Sequence, residues 1–174
     1  VGAYMNGPGI VRHTGRGDLV LGAARADRER PGIAGHLAAV AALFERAGIR
    51  CPLSDDIDAA LWTKLVINCA FNAISALGRA RYGRMARDPG IRALMEGTVR
   101  ESVAVARAAG VALDERKLID AAWGVADALP EQYSSTAQDV LRGKPTEIDA
   151  LNGFVAERGA AFGVATPINR TLHA

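Results

Sequence analysis

The sequence predicts a mostly α protein, with an all-helical part over residues 55–174 preceded, over residues 1–54, by the closing elements of an α/β domain. Three observations predict it. Strand-like runs, at residues 10–12, 18–21 and 49–53, are confined to the first part. From residue 55 onward apolar residues recur only at helical spacing, between stops made by Gly and Pro. Asp88, Asp114 and Thr166 stand at helix N-cap positions, and Pro89 and Pro167 follow two of them directly.

Taken in order, Gly7, Pro8 and Gly9 precede a β-hairpin whose strands, 10–12 and 18–21, are joined by a Gly-rich turn over 13–17. Pro31 suits the start of a helix in which Ile33, Leu37, Val40, Leu43 and Phe44 repeat at helical spacing. Gly32 and Gly35 weaken its first turn, and Gly48 ends it. The strand over 49–53 completes a β-β-α-β unit that needs further sheet to pair with. The chain opens at Val1, inside a strand-like run, so an N-terminal portion is expected upstream.

The helical part begins with a long helix over about 57–77, followed by a break over 78–83. Further helices run from Pro89 to Gly110 and from the Asp114 cap to Leu129, where Pro130 stops the second. A short helix over 134–142 closes at Gly143, and Pro145 bars its continuation. Thr146 caps a helix ending at Gly159 or Gly163, and Thr166 caps the last one.

Composition excludes several function classes. With 49% hydrophobic and 23% charged residues, the chain has the make-up of a soluble globular protein. A formal charge of +2 is too small to argue for nucleic acid or an anionic membrane. The arginines read as scattered, and aromatics, at 5%, are too few for base stacking. Cys51 and Cys69 have no metal-ligand spacing, and His13, His36 and His173 form no ligand motif. No apolar run reads as a membrane span and no signal peptide is seen, so the expected compartment is the cytoplasm.

The long helix holds the main chemical signal. Lys64, Asn68 and Asn72 recur every four residues and stay within an arc of roughly 80°. Ser75 falls in the same arc, and Leu61 is its one apolar member. The rest of the wheel is almost wholly apolar, which argues for burial. A buried polar row needs partners, because each unpaired group costs roughly 1–3 kcal/mol. Two readings stay open: a stripe facing bulk water, or the wall of a cleft for a polar ligand. Asn is a poor helix former and an uncommon choice for a solvent face, and one cation beside neutral amides suits a small oxyacid.

A second polar cluster comprises Ser134, Ser135, Gln138 and Asp139, then Lys144, Thr146, Glu147 and Asp149. Helix capping accounts for much of it: Ser135 with Gln138 has the spacing of a capping box, and Thr146 pairs similarly with Asp149.

Four motifs now line up: Leu61-Trp62-x-Lys64-Leu65-x-x-Asn68-x-x-x-Asn72-x-x-x-Ala76-Leu77; Ser134-Ser135-x-x-Gln138-Asp139; Thr146-Glu147-Ile148-Asp149-x-Leu151-Asn152-Gly153; and Gly163-x-x-Thr166-Pro167-x-Asn169. In this order the run resembles the C-terminal helical domain of ketopantoate reductase, also called 2-dehydropantoate 2-reductase, over about residues 55–174. Residues 1–54 resemble the end of that family's nucleotide-binding domain. The resemblance implies an all-helical domain of the 6-phosphogluconate dehydrogenase C-terminal type, after the truncated end of a Rossmann-type NADP-binding domain. It further implies reduction of 2-dehydropantoate to pantoate by NADPH, in the pathway to pantothenate and coenzyme A. Lys64 matches the family's catalytic lysine, Asn68 and Asn72 its substrate-binding helix asparagines, Ser135 a serine that contacts substrate, and Glu147 a glutamate that contacts the cofactor. The implied partner is a small 2-keto acid, with no nucleic acid or membrane involved and homodimerisation open.

The chemistry agrees with that resemblance. Hydride delivered to C2 of a 2-keto acid leaves negative charge on the carbonyl oxygen, which a lysine ammonium stabilises and protonates. Burial and a nearby carboxylate, such as Glu147, would tune such a lysine. The chain departs from the family in three places. It lacks a G-x-G-x-x-G fingerprint after a strand. A substrate-side asparagine of the nucleotide domain is expected upstream of Val1. Another, after the long helix, is replaced near Tyr82. Isolated, these residues are therefore expected to be inactive. The alternatives are a reductase of another 2-keto acid on the same fold, and a non-catalytic helical domain for dimerisation or binding.

Overall fold

The structure is a computed structural model that describes residues 3–13 and 19–174, Tyr4 by its backbone alone. It divides into two compact units, Val1–Ala60 and Leu61–Ala174.

In the first unit, β1 (Ala3–Met5) pairs antiparallel with β2 (Val11–His13), with Ala3 opposite His13 and Met5 opposite Val11. Gly7 and Gly9, both at positive φ, shape the connection, and the Ile10 N–H donates to the Gly7 carbonyl. The hairpin thus forms on the N-terminal side of the expected one. Glycines 7 and 9 lie within its connection instead of preceding it, and the expected turn falls largely on residues 14–18, outside those described. Leu19 and Leu21 pair instead with the stretch after the first helix, through Leu19 N–H to Arg50 O (2.9 Å) and Leu21 N–H to Pro52 O (3.2 Å), with a parallel bridge from Leu21 to Leu53. Gly22 is required at this crossing, since a Cβ there would lie 2.7 Å from the Ser54 carbonyl oxygen.

Helix α1 (Ile33–Arg46) follows a 3₁₀ turn at Arg25–Asp27 and a left-handed Gly32. Gly48, at φ 74°, ends it in the αL conformation that glycine adopts without penalty. Of its residues only Ala41 is fully buried, and Val40 and Leu43 are exposed.

The second unit is helical: the body of α2 (Ile57–Gly78), then α3 (Tyr82–Arg87), α4 (Pro89–Ala108), α5 (Glu115–Ala128), α6 (Ser135–Leu141), α7 (Asn152–Phe162) and α8 (Pro167–His173). Helix α3 starts within the last two positions of the expected break, 82 and 83, and continues to Arg87. Helix α2 is the centre of the unit. Its Val66, Ala70, Phe71, Ala73 and Ile74 pack with Met85 of α3, Met95, Val99 and Val103 of α4, Leu118 and Ala122 of α5 and Leu172 of α8. On another face Cys69 meets Val105, Leu151 and Val155. By length and composition α2 could cross a membrane, which corrects the expectation that no run reaches that length. The core packing just described accounts for its apolarity as well.

Helix starts follow the capping expectations in part. Asp88 accepts from the N–H groups of Gly90 (2.8 Å) and Ile91 (3.0 Å), and Asp114 from Lys117 N–H (3.1 Å). Thr166 makes no side-chain cap. Glu101 of α4 caps α8 instead, accepting from the Ile168 and Asn169 N–H groups and the Asn169 side chain, each at 2.9 Å. Asn169 in turn accepts from Asn152, which also donates to the Cys69 carbonyl, so one buried polar chain ties α2, α4, α7 and α8 together. The helix expected from Thr146 is broken: Ile148–Ala150 form a 3₁₀ turn, and α7 begins only at Asn152.

Candidate active site

The polar stripe of α2 is graded along its length. Lys64 is exposed, Asn68 is half-buried, Asn72 is buried and Ser75 is wholly buried. The expectation of a buried row therefore holds for its C-terminal half only, and Lys64 is not desolvated within this chain.

Ser75 and Ser134 build the closed end. The Ser75 hydroxyl donates to the Ala80 carbonyl (2.8 Å) and accepts from Ser134 N–H (3.3 Å). The Ser134 hydroxyl donates to the Asn72 carbonyl (3.2 Å) and accepts from Ala137 N–H (3.0 Å), which makes it the N-cap of α6. The capping residue is thus Ser134 and not Ser135. Gln138 does not close a capping box either; its amide donates to the Tyr133 carbonyl. Ser135, released from capping, is the first residue of α6 and accepts a hydrogen bond from the Asn72 side-chain amide at 3.3 Å. Sequence reasoning had Ser75 in the arc but missed Ser134 as the residue that docks α6 onto α2.

Of the five candidate residues, then, the fold joins Asn72 to Ser135. The Lys64, Asn68 and Glu147 side chains take no hydrogen-bond or ion-pair partner among the described residues, so no Lys64–Glu147 pair forms. Glu147 is exposed at the start of the 3₁₀ turn, and its carboxylate makes no side-chain cap. Taken singly, Lys64 can donate to an oxyanion, and the amides of Asn68 and Asn72 can both donate and accept. Tyr82, near the position of the further family asparagine, packs its half-buried ring 4.4 Å from that of Phe71, and burial pushes its hydroxyl up to about 12. No group of three or more potential metal-ligating side chains exists among the described residues.

The family model for "Ketopantoate reductase PanE/ApbA C terminal" matches residues 56–174. The chain belongs to the ketopantoate reductase family. It is 41% identical over 133 residues to the 2-dehydropantoate 2-reductase of Pyrobaculum aerophilum, covering 76% of this chain and 47% of that protein. The crystal structure of a PanE/ApbA family ketopantoate reductase from Ralstonia eutropha superposes with a TM-score of 0.88 at 45% identity, over 99% of this chain and 54% of that one. D-mandelate dehydrogenase in complex with NADH also gives 0.88, at 23% identity, over 99% of this chain and 57% of that one, a likeness of fold alone. The chain spans about half the length of the curated relatives it matches. Within the ketopantoate reductase family, the mostly helical architecture seen here is that of the C-terminal part.

Proposed function

We propose that the full-length protein is an NADPH-dependent 2-dehydropantoate 2-reductase and that residues 61–174 supply the substrate side of its site. The observation that carries this reading is the family match over 56–174, which spans all five candidate residues. In the same reading residues 1–54 close a Rossmann-type domain, which the exposed apolar residues of α1 and the parallel bridge between Leu21 and Leu53 support. The protein is read as cytoplasmic, with homodimerisation open.

In this mechanism Asn68 and the Asn72–Ser135 pair hold the substrate's carboxylate and hydroxyl by neutral hydrogen bonds, which orient it without adding charge. Lys64 hydrogen-bonds the keto oxygen and stabilises the charge that develops there, then transfers a proton from Nζ to the alkoxide. Its exposure within this chain leaves the ammonium free to meet that oxygen. Glu147 fits a cofactor-contacting role, because its carboxylate is exposed and uncommitted. NADPH, when bound, supplies the hydride. A dinucleotide fingerprint is absent from these 174 residues, so the phosphates would be held by sequence beyond them.

The decisive assay follows NADPH oxidation by the full-length protein with 2-dehydropantoate. Lys64→Ala should lower kcat by roughly 10²–10⁴-fold; an unchanged rate would remove Lys64 from the mechanism. A second reading, reduction of another 2-keto acid, is favoured by Tyr82 at a position where the family offers an amide. Faster turnover of an aryl 2-keto acid than of 2-dehydropantoate would select it. Absence of any reductase activity, with no Gly-rich βαβ segment in the full-length sequence, would select a non-catalytic binding domain.

A further inference from the structure

The stretch from Arg79 to Arg87 holds four arginines and no acid, leaving a formal charge of −2 on the rest of the chain. The reading of scattered arginines is corrected here: the turn after α2 and helix α3 gather them. Arg84 and Arg87 are three apart and share a face of α3. Arg79, Arg81, Arg84 and Arg87 line one cleft of about 280 Å³ with Glu131 and Tyr133. A second cleft of about 390 Å³ shares Arg84 and Arg87 and includes Asp88.

The four cations are not equivalent. Arg81 is committed, since it pairs with Glu131 and stacks 5.3 Å from the centre of the Tyr133 ring. Asp88 is committed to capping α4. Arg79, Arg84 and Arg87 are exposed and have no carboxylate partner among the described residues. Arg79 also sits at φ 43°, the left-handed conformation that ends many helices and that normally selects glycine. The walls are held close: Tyr82 N–H donates to Gln132 O (3.0 Å) and Gly83 N–H to Pro130 O (2.9 Å), and a Cβ on Gly83 would lie 2.8 Å from Pro130 Cβ. Uncompensated guanidinium groups in a concave wall focus positive potential on one small volume.

We propose that this cleft binds the diphosphate group of a phosphate-bearing small molecule. Guanidinium forks match phosphate oxygens two at a time, and three free forks exceed what one carboxylate can use. The cleft lies away from the proton donor, because Gly78 is fourteen residues beyond Lys64, about 21 Å along the helix axis, while its Ala80 and Tyr133 wall adjoins the Ser75–Ser134 end of the candidate site. Its failure would leave the reductase reading untouched.

The test is calorimetric titration of inorganic pyrophosphate into the full-length protein at low salt, with NADP⁺ saturating so that any cofactor groove is filled. Saturable binding is expected, weaker in 0.5 M salt, and lowered about tenfold or more in the double variant Arg84→Gln/Arg87→Gln. Should that variant fail to fold, Arg79→Gly serves instead, for it removes a free cation while relieving the backbone. Inorganic phosphate should bind about tenfold more weakly than pyrophosphate. The proposal is overturned by equal binding to wild type and variant, by equal affinity for phosphate and pyrophosphate, or by no saturable binding. It is overturned too if the variant changes the mass by light scattering and pyrophosphate does not bind, since the arginines would then serve contact between copies.

Discussion

The Asn72 side-chain amide donates to the Ser135 hydroxyl at 3.3 Å, linking the C-terminal half of α2 to the first residue of α6 across 63 positions of sequence. This contact depends on Ser134, which takes the capping role, anchors to the Asn72 carbonyl and so presents the next residue to the amide. In the proposed site, Asn72 and Ser135 would therefore meet the substrate as a pair and not as two independent residues.

A coupled effect on substrate binding follows. In the full-length protein, Asn72→Ala and Ser135→Ala should each lower kcat/KM for the 2-keto acid by roughly tenfold, about 1.4 kcal/mol. The double variant should lose clearly less than the product, because groups in contact share their effect. Strictly multiplicative losses in steady-state kinetics would mean that the two residues act separately.

Ser75 should matter to stability more than to turnover. Its hydroxyl is wholly buried and serves the Ala80 carbonyl and the Ser134 N–H together. Ser75→Ala strands both, and a loss of about 2 kcal/mol in urea unfolding is expected. Ser135→Ala removes an exposed hydroxyl and should stay within about 0.5 kcal/mol of wild type. Equal destabilisation by the two would contradict the division of roles between these serines.

The contrast between these serines also marks what was legible in the sequence. Helical periodicity and the Asp88 and Asp114 caps located most of the helical part, since those signals are local. Gly48 ended α1 for the same reason. The choice between Ser134 and Ser135 as cap was not legible, because a buried contact with Ser75, far away in sequence, decides it. The parallel pairing of Leu21 with Leu53 was missed likewise; no local pattern records which strand a short run will meet. The Lys64, Asn68 and Asn72 stripe was visible as geometry, but its grading from exposed to buried is set by how the other helices pack against α2.

The cap that Glu101 provides to α8 gives a third prediction. Its carboxylate accepts three hydrogen bonds, two of them from the first free N–H groups of the helix. Glu101→Ala should cost about 2–3 kcal/mol, and Glu101→Gln, which keeps one acceptor oxygen, about half as much. Hydrogen exchange at the Ile168 and Asn169 amides should speed up in the same order. Exchange there unchanged in Glu101→Ala would show that α8 does not rely on this carboxylate.

Alkaline pH should destabilise the fold through Cys69 of α2 and Tyr82 of α3. Burial pushes the Cys69 thiol from 9.0 up to about 12, and the Tyr82 hydroxyl from 10.0 up to about 12. Each group holds its proton more tightly when folded, so over these windows the unfolded chain binds fewer protons than the native one. Stability is therefore full below about pH 9 and falls as pH rises toward 12, by at most about 1.4 kcal/mol per pH unit for each group. Urea midpoints measured between pH 8 and 11 should fall first with the Cys69 contribution and then more steeply as Tyr82 joins. Cys69→Ala removes the first contribution while leaving a small residue in the same packed position, so its stability should hold to nearer pH 10. Parallel decline of wild type and Cys69→Ala from pH 9 onward would show that the buried thiol does not set the alkaline limit.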